Sequence, residues 1–508
     1  MKTLKISSTM IAFLLFICTV LSCRKTPDQA EAQLEQFKTQ KNNKLSATNF
    51  TADPNASFYT GGDMYDTNGN IVHAVEGGII KVGNLYYLWG MDRSDNNYTF
   101  KGVNIYSSAD LKNWTFVNTI LKNSTHGDLA AGSVVERPKL LHNTTTGQFV
   151  LWVHYEGWGA YGTAEVGYAT SSTIGGNYNW QGHYRPLGLD SRDMNVYKDT
   201  DGKAYMISSV SVNSQVAIME LNSSYTGHTR VVYRGSEVSC EGHALFKSGN
   251  TYFLVESKCS GWDTNDNHYY TSASLAGPWT YRGLIAPNGA KTYQSQITNA
   301  FPVSGSDRTT WVYLGDRWST WDMASTRLVI LPFQLSGTTL SLPWYDQWSA
   351  NTATGNVTVS PAIQFDGQVK IINRKSGRAM EVGDWLQSDN ASIKQYDYLG
   401  GNNQRWTITN LGRGEFRVTN VHSGKSLEVP NSTRNTGTNA TQYTWNNGFN
   451  QKWHIIPCKG GYFRFINVNT LGKTLGIRDA STANSADVVI NEFRFEQDAQ
   501  WQILPASN

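Results

Sequence analysis

Between residues 366 and 505 the chain repeats one unit three times. The run Val369 to Val382 (VKIINRKSGRAMEV) is echoed by Phe416 to Val429 (FRVTNVHSGKSLEV) and, more loosely, by Phe463 to Ile477 (FRFINVNTLGKTLGI). Each unit closes on a tryptophan, Trp406, Trp453 and Trp501, so the period is 47 and then 48 residues. A unit of this length cannot bury its apolar face alone, so three copies must share one core, and the three tryptophans are expected in it. The third unit departs from the pattern at Ala499, where the first two carry Gln404 and Gln451.

The longer stretch before the repeat is also β. Short apolar and aromatic runs recur, as in Gly78–Trp89, Phe149–His154, Ala204–Ser208 and Thr310–Leu314, separated by Gly, Asn, Asp and Ser. Their even spacing predicts a repeated sheet unit such as a propeller blade. Residues 349–359 are small and polar and read as a linker.

The first residues read as a targeting signal. Lys2 and Lys5 precede an apolar run, Met10 to Val20, that is too short to span a bilayer. It ends in Leu21-Ser22-Cys23, which resembles the lipobox of bacterial lipoproteins and implies lipidation at Cys23. The polar stretch that follows reads as a tether. Cys240 and Cys259 flank one predicted hairpin, so an exported protein could join them, and no cysteine or histidine spacing suggests zinc. The net charge of +3 is small and no basic patch points to nucleic acid.

The Gln-x-Trp repeat resembles the ricin-B β-trefoil, carbohydrate-binding module family 13, over residues 366–505. The resemblance implies sugar pockets that pair a carboxylate with an aromatic face: Glu381 with Tyr396 or Tyr398, Glu428 with Tyr443 or Trp445, and Asp479 with Phe493. The family more often has Asp at the first two of these carboxylates.

Five segments of the earlier part resemble glycoside hydrolase family 43, a five-bladed β-propeller, and most of all its exo-β-1,3-galactanase subfamily. They are Asn70–Ile79, Val135–Lys139, Ser191–Asp199, the Glu241 hairpin ending in Ser260-Gly261-Trp262, and Tyr293–Gln296 with Tyr313–Trp318. Glu136, Asp193 and Glu241 each precede a strand in successive blades, so their carboxylates should converge on one cavity. Glycoside cleavage needs an acid for the leaving oxygen and a group that activates water. The resemblance implies Glu241 as the acid, Asp193 as the residue that orients it and tunes its pKa, and Glu136 with Arg137 as holders of sugar hydroxyls. Most of family 43 uses an Asp base in the first blade. The galactanase group lacks it and appears to use a Gln of the fifth blade, here Gln296, which positions water or acts through its imidic tautomer. Blade one departs from the relatives at Glu76 and Asp92, a replacement base and a replacement sugar ligand respectively. Trp262 and Trp318 are core or subsite walls, and Asp316 beside Arg317 braces the cavity or contacts substrate.

The expected architecture is therefore all-β: signal 1–22, tether 23–54, five-bladed propeller 55–348, linker 349–365 and β-trefoil 366–508. The expected activity is an exo-acting, inverting β-1,3-galactanase on arabinogalactan-type polysaccharide, acting as a monomer and held to a membrane through its lipid alone. No cofactor is expected, and a Ca²⁺ or Na⁺ in the propeller channel has no motif behind it. The rival readings are an α-L-arabinofuranosidase or β-xylosidase of the same family, and a surface glycan-binding protein that has lost catalysis.

Overall fold

The computed structural model describes residues 53, 55–235, 240–492 and 496–506. The signal, Cys23, nearly all of the tether, and Phe493 lie outside them.

Five antiparallel sheets follow one another along the chain. The first is built from Val75–Val82, Leu85–Met91, Gly102–Ser108 and Thr115–Lys122. The next three sheets also have four strands each, opening with Ser133–Asn143, Met194–Lys198 and Cys240–Ser248. The fifth has three strands, Gln296–Ser304, Thr309–Arg317 and Arg327–Pro332. The opening strand of each sheet packs against the opening strand of the next, and that of the fifth returns to the first, so the sheets close a ring. This is a propeller, and it places the starts of the inner strands around one axis.

Each opening strand is sandwiched between neighbouring sheets, and that of the second buries apolar residues on both sides, as with Val134, Val135, Leu140 and Leu141. Between the opening strands lies a buried lysine. The Lys139 ammonium donates to Glu76 O at 2.6 Å, Gly77 O at 2.8 Å, Thr298 O at 2.8 Å and Thr298 Oγ1 at 3.0 Å. Burial, with Arg137 nearby, lowers its pKa to about 7. Beside it Asn195 Nδ2 donates to His243 O at 2.6 Å and Thr298 O at 3.1 Å, so side chains and carbonyls of all five sheets meet in this layer.

The expected linker is largely structured. Gln347–Ala350 pairs with Phe58–Tyr59 on one side and Val357–Val359 on the other. Ile363 and Phe365 are already part of the trefoil core. The composition of 349–359 suits the tight turn between two strands as well as it suits a tether, which is why the two could not be told apart.

The C-terminal units obey the threefold pattern closely. Trp406, Trp453 and Trp501 are fully buried, and each indole donates at 3.0 Å to the matching carbonyl, of Met380, Leu427 and Leu475. Their register partners, Val369, Phe416 and Phe463, are likewise equivalent. Trp453→Ala is expected to destabilise the trefoil by about 3–5 kcal/mol, as large cavities in a shared core do. Thermal unfolding followed by tryptophan fluorescence should show an early transition that wild type lacks.

Ion pairs tie the trefoil to the propeller. Asp63 binds Arg327 at 2.5 Å and Arg464 of the trefoil at 2.6 Å, all three buried. Arg434 of the trefoil reaches Asp263 at 3.0 Å, in the loop that carries Trp262.

Candidate active site

Backbone irregularity builds the site. Four of the five inner strands break register where they reach the cavity: between Val75 and Gly78, Glu136 and Lys139, Glu241 and His243, and Ile297 and Asn299. Such bulges re-aim side chains at the rim of a sheet. Glu76 (φ 66°) and Arg137 (φ 50°) take the left-handed conformation at theirs, and Gly242 (φ 53°) supplies it beside Glu241. A side chain at Gly242 would meet Ile297 O at 2.6 Å, so the Glu241 bulge demands glycine.

The cavity holds about 240 Å³ and is lined by Glu136, Arg137, Asp193, Glu241, Gln296, Trp262, Trp318 and Glu76, together with His154, Tyr161, Arg192 and Asn213. The three carboxylates expected to converge do so. Glu241 Oε1 accepts from Asn213 Nδ2 at 3.1 Å and the Cys259 thiol at 3.0 Å, and its Oε2 faces Gln296 Nε2 at 3.4 Å. Burial, then the charge of Asp193, raises the Glu241 pKa above the ordinary glutamate value. Asp193 goes the other way. Burial opposes its ionisation, but Arg137 at 2.8 Å and the Gly242 N–H at 2.8 Å outweigh it and hold the pKa at about 2. Two neighbouring carboxyls pushed apart in this way have the electrostatics that an acid and its modulator need.

Arg137 is the hub. Its guanidinium contacts Asp193, Gln296 Oε1 at 2.6 Å and Asp316 Oδ2 at 3.2 Å, and lies 5.5 Å from the Trp318 ring. Glu136 accepts from Tyr161 Oη at 2.6 Å and lies 3.4 Å from His154 Nδ1. His154 also meets Glu156 at 2.8 Å. Burial works against its charge, but the hydrogen bonds to Glu136 and Glu156 win and raise its pKa to about 9. The ligand atoms of Glu136, His154 and Asp193 lie within 4.8 Å of one another. With the imidazole protonated at neutral pH this set is an ion-pair network. A histidine raised from 6.5 to about 9 on folding stabilises fully below pH 6.5 and loses that contribution as pH climbs through 9. Wild-type stability is therefore expected to fall between those limits, and His154→Gln should flatten the fall in a pH series of melting curves.

Several expected contacts are placed elsewhere. Asp316 is fully buried beneath Arg137, accepting from the Glu76 N–H at 2.9 Å, so it braces the floor and touches no substrate. Its expected neighbour Arg317 turns away to Tyr293 O at 2.9 Å. Alternate residues of a strand face opposite ways, which separates this sequential pair. Asp92 is outside the cavity, capping the Ser94 N–H at 2.9 Å and meeting Lys101 at 3.5 Å. Glu76 lines the cavity, but both its oxygens are engaged: Oε1 by Arg93 at 2.6 Å and Oε2 by the Arg137 N–H at 3.1 Å. A carboxylate so held is a poor replacement base. Cys240 and Cys259 are not joined to each other: Cys240 pairs in register with Lys258 and lies buried, while the Cys259 thiol donates to Glu241. Trp318 is 7 % exposed and donates to Gln296 Oε1 at 3.0 Å, whereas Trp262, 39 % exposed, stands edge-on to it as the outer wall.

Gln296 is held as an amide. Two donors, Arg137 and Trp318, occupy its oxygen, which leaves no place for the O–H of an imidic tautomer. Its nitrogen donates to Ser257 Oγ at 3.0 Å.

In the trefoil, Glu381 Oε2 accepts from Gln404 at 3.0 Å and Asn403 at 3.3 Å, and Glu428 Oε2 accepts from Gln451 and Asn450, each at 3.2 Å. Lys370 covers one face of Tyr398 at 4.5 Å and Arg417 covers Trp445 at 4.7 Å. The third unit lacks this brace, with Gly476 and Ala499 in place of Glu and Gln, and a cleft of about 300 Å³ opens there beside Asp479, Asn491 and Asp498.

The family model described as glycosyl hydrolases family 43 matches residues 76–338, just over half of the chain. The chain belongs to that family. It is a glycosidase, and the cavity just described lies within the matched residues. A second model, the ricin-type beta-trefoil lectin domain-like family, matches residues 345–443 and 449–508. Among solved structures the enzyme is similar to an exo-β-1,3-galactanase from Clostridium thermocellum, with 32 % identity, a TM-score of 0.58, and coverage of 88 % of this chain and 99 % of that one. An exo-β-1,3-galactanase from Phanerochaete chrysosporium with β-1,3-galactotriose shares 25 % identity and a TM-score of 0.61, covering 88 % and 98 %. A curated relative, a xylan 1,3-beta-xylosidase from a Vibrio species, is 24 % identical over 223 residues, and the match spans 39 % of that relative's length.

Proposed function

We propose that this family 43 enzyme removes galactose from the non-reducing end of β-1,3-galactan, with inversion, from a five-bladed propeller. The observation that carries the reading is the pairing of a raised Glu241 with an ionised Asp193 in one cavity, in a chain similar to exo-β-1,3-galactanases along most of its length. Glu241 protonates the leaving oxygen. Asp193 fixes the acid's bulge through the Gly242 N–H and keeps the acid's pKa high. Arg137, with Gln296 and Trp318 fixed around it, shapes the sugar-binding floor.

Water activation departs from the family pattern. In an inverting pair the two groups stand about 6.5–9.5 Å apart to admit water. Gln296 Nε2 is 3.4 Å from Glu241 Oε2, so in this arrangement it orients groups by donation. Glu136 is held as Glu76 is, Oε1 by Tyr161 Oη at 2.6 Å and Oε2 facing His154 Nδ1 at 3.4 Å, so it serves to hold sugar hydroxyls and the water's proton passes to solvent. The trefoil holds the enzyme on its polymer through the third-unit cleft at Asp479, raising the effective substrate concentration. Lipidation at Cys23 would hold it as an exported lipoprotein at the outer membrane or cell surface.

The test is product analysis on β-1,3-galactan, arabinogalactan, 1,3-β-xylan and arabinan, with the product anomer followed by NMR. Galactose released first as the α-anomer supports the reading. Xylose or arabinose release without galactose would replace the substrate, as the similarity to a xylan 1,3-beta-xylosidase suggests.

A further inference from the structure

We propose that Asn213 and Cys259 are positioning residues that place the acid's proton on Glu241 Oε2. The proposal rests on Glu241 being the general acid. A protonated carboxyl has one oxygen that only accepts and one that carries hydrogen. Asn213 Nδ2 and the Cys259 thiol both donate to Oε1, at 3.1 and 3.0 Å. Two donors make Oε1 the carbonyl oxygen, so the hydrogen belongs on Oε2. The donor nearest Oε2, Gln296 Nε2, is at 3.4 Å and has a better partner in Ser257 Oγ at 3.0 Å, which leaves Oε2 free to face the glycosidic oxygen.

The clamp is built into the fold. Asn213 stands at the tip of the hairpin between Ala204–Val210 and Gln215–Leu221, where Ser211, Val212 and Asn213 have φ of 53°, 55° and 61°. Three successive left-handed residues are costly unless their surroundings hold them. Asp190 does so, accepting from the Ser211 N–H at 2.7 Å and the Val212 N–H at 2.8 Å. The Asn213 carbonyl then accepts from the Cys240 N–H at 3.1 Å, joining the tip to the residue before the acid. Cys259 arrives from the other side, two residues beyond Ser257, the register partner of Glu241.

In the reaction the Oε2 proton passes to the glycosidic oxygen as its bond to the anomeric carbon breaks, and the bonding pair leaves with that oxygen. Water gives its hydroxyl to the carbon. Its remaining proton passes to solvent, from which Glu241 is reprotonated.

The experiment uses the full chain and compares Asn213→Gly, Cys259→Ala, Cys259→Ser and Glu241→Gln. Glycine suits the left-handed backbone while removing the donor. The substrates are β-1,3-galactobiose, whose leaving group needs protonation, and a dinitrophenyl β-galactoside, whose leaving group does not. The expected result for Asn213→Gly is a loss of at least tenfold in kcat/KM on the disaccharide, with the aryl galactoside within twofold of wild type. The basic limb of the pH profile should move upward, because lost donors disfavour the carboxylate. Cys259→Ala should show a smaller loss that Cys259→Ser restores. Independently of turnover, the Glu241 carboxyl stretch, isolated by infrared difference against Glu241→Gln, should rise in Asn213→Gly as its carbonyl loses donors. Equal losses on both substrates, or no change in kinetics and stretch, would overturn the clamp. Full disaccharide cleavage by Glu241→Gln would instead overturn the acid assignment on which it rests.

Discussion

Replacing Glu241 by Gln is expected to lower kcat/KM on a β-1,3-linked galactoside by about 10²–10⁴, the usual worth of a placed proton donor. The substitution keeps the side chain's size and its contacts with Asn213 and Cys259, but an amide cannot give up a proton to the leaving oxygen. The loss should shrink as the leaving group's own acidity rises, since a phenolate departs without help. The pH dependence follows from the same environment. Burial and the nearby Asp193 charge keep Glu241 protonated above the ordinary glutamate range, so wild-type activity should persist past that range and then fall as the acid ionises. Asp193→Asn removes the repulsion, and the descending limb should move to lower pH. Steady-state rates across a pH series check both statements.

Arg137→Met is expected to abolish activity and to destabilise the propeller by about 3–5 kcal/mol, the cost of leaving buried charge without its partner. The guanidinium neutralises Asp193 and Asp316 together and carries Gln296, and no lysine ammonium could bond all three in one plane. The effect should depend on pH. Burial raises Asp316 to about 6 even with Arg137 present. An acid whose pKa rises on folding costs stability as pH climbs through that range. Without Arg137 the penalty deepens, while protonation at low pH relieves it. The melting deficit of the variant should therefore be smaller at pH 5 than at pH 7.5. An equal deficit at both would mean that lost packing, and not uncompensated charge, is responsible.

These consequences trace back to features of differing visibility in the sequence. The threefold repeat announced the trefoil because Trp406, Trp453 and Trp501 recur at nearly constant spacing and each must be buried. The aromatic strands of the propeller were legible for a similar reason, and so was the convergence of Glu136, Asp193 and Glu241, one per inner strand. The bulges were not. A bulge adds one residue to one strand, and only the partner strand reveals it, so Arg137 reads as part of a regular strand although it turns sideways to become the hub. Asp316 does brace the cavity, but with Arg137 in place of its neighbour Arg317, since sequence order hides that alternate residues face opposite ways. Asn213 reads as a turn residue. Its role depends on a hairpin tip touching the neighbouring sheet, a long-range contact without local trace. Cys259 suggested a disulfide by proximity to Cys240, but strand register, which decides that geometry, sets Cys240 opposite Lys258.

The most direct test of this account is galactose release from β-1,3-galactan by the wild type and by Glu241→Gln, with melting curves to show that both are folded. The account predicts release by the wild type and a fall of about 10² or more in the equally stable variant. A folded wild type that releases no sugar, or a variant that matches it, would contradict the assignment of this cavity and of Glu241.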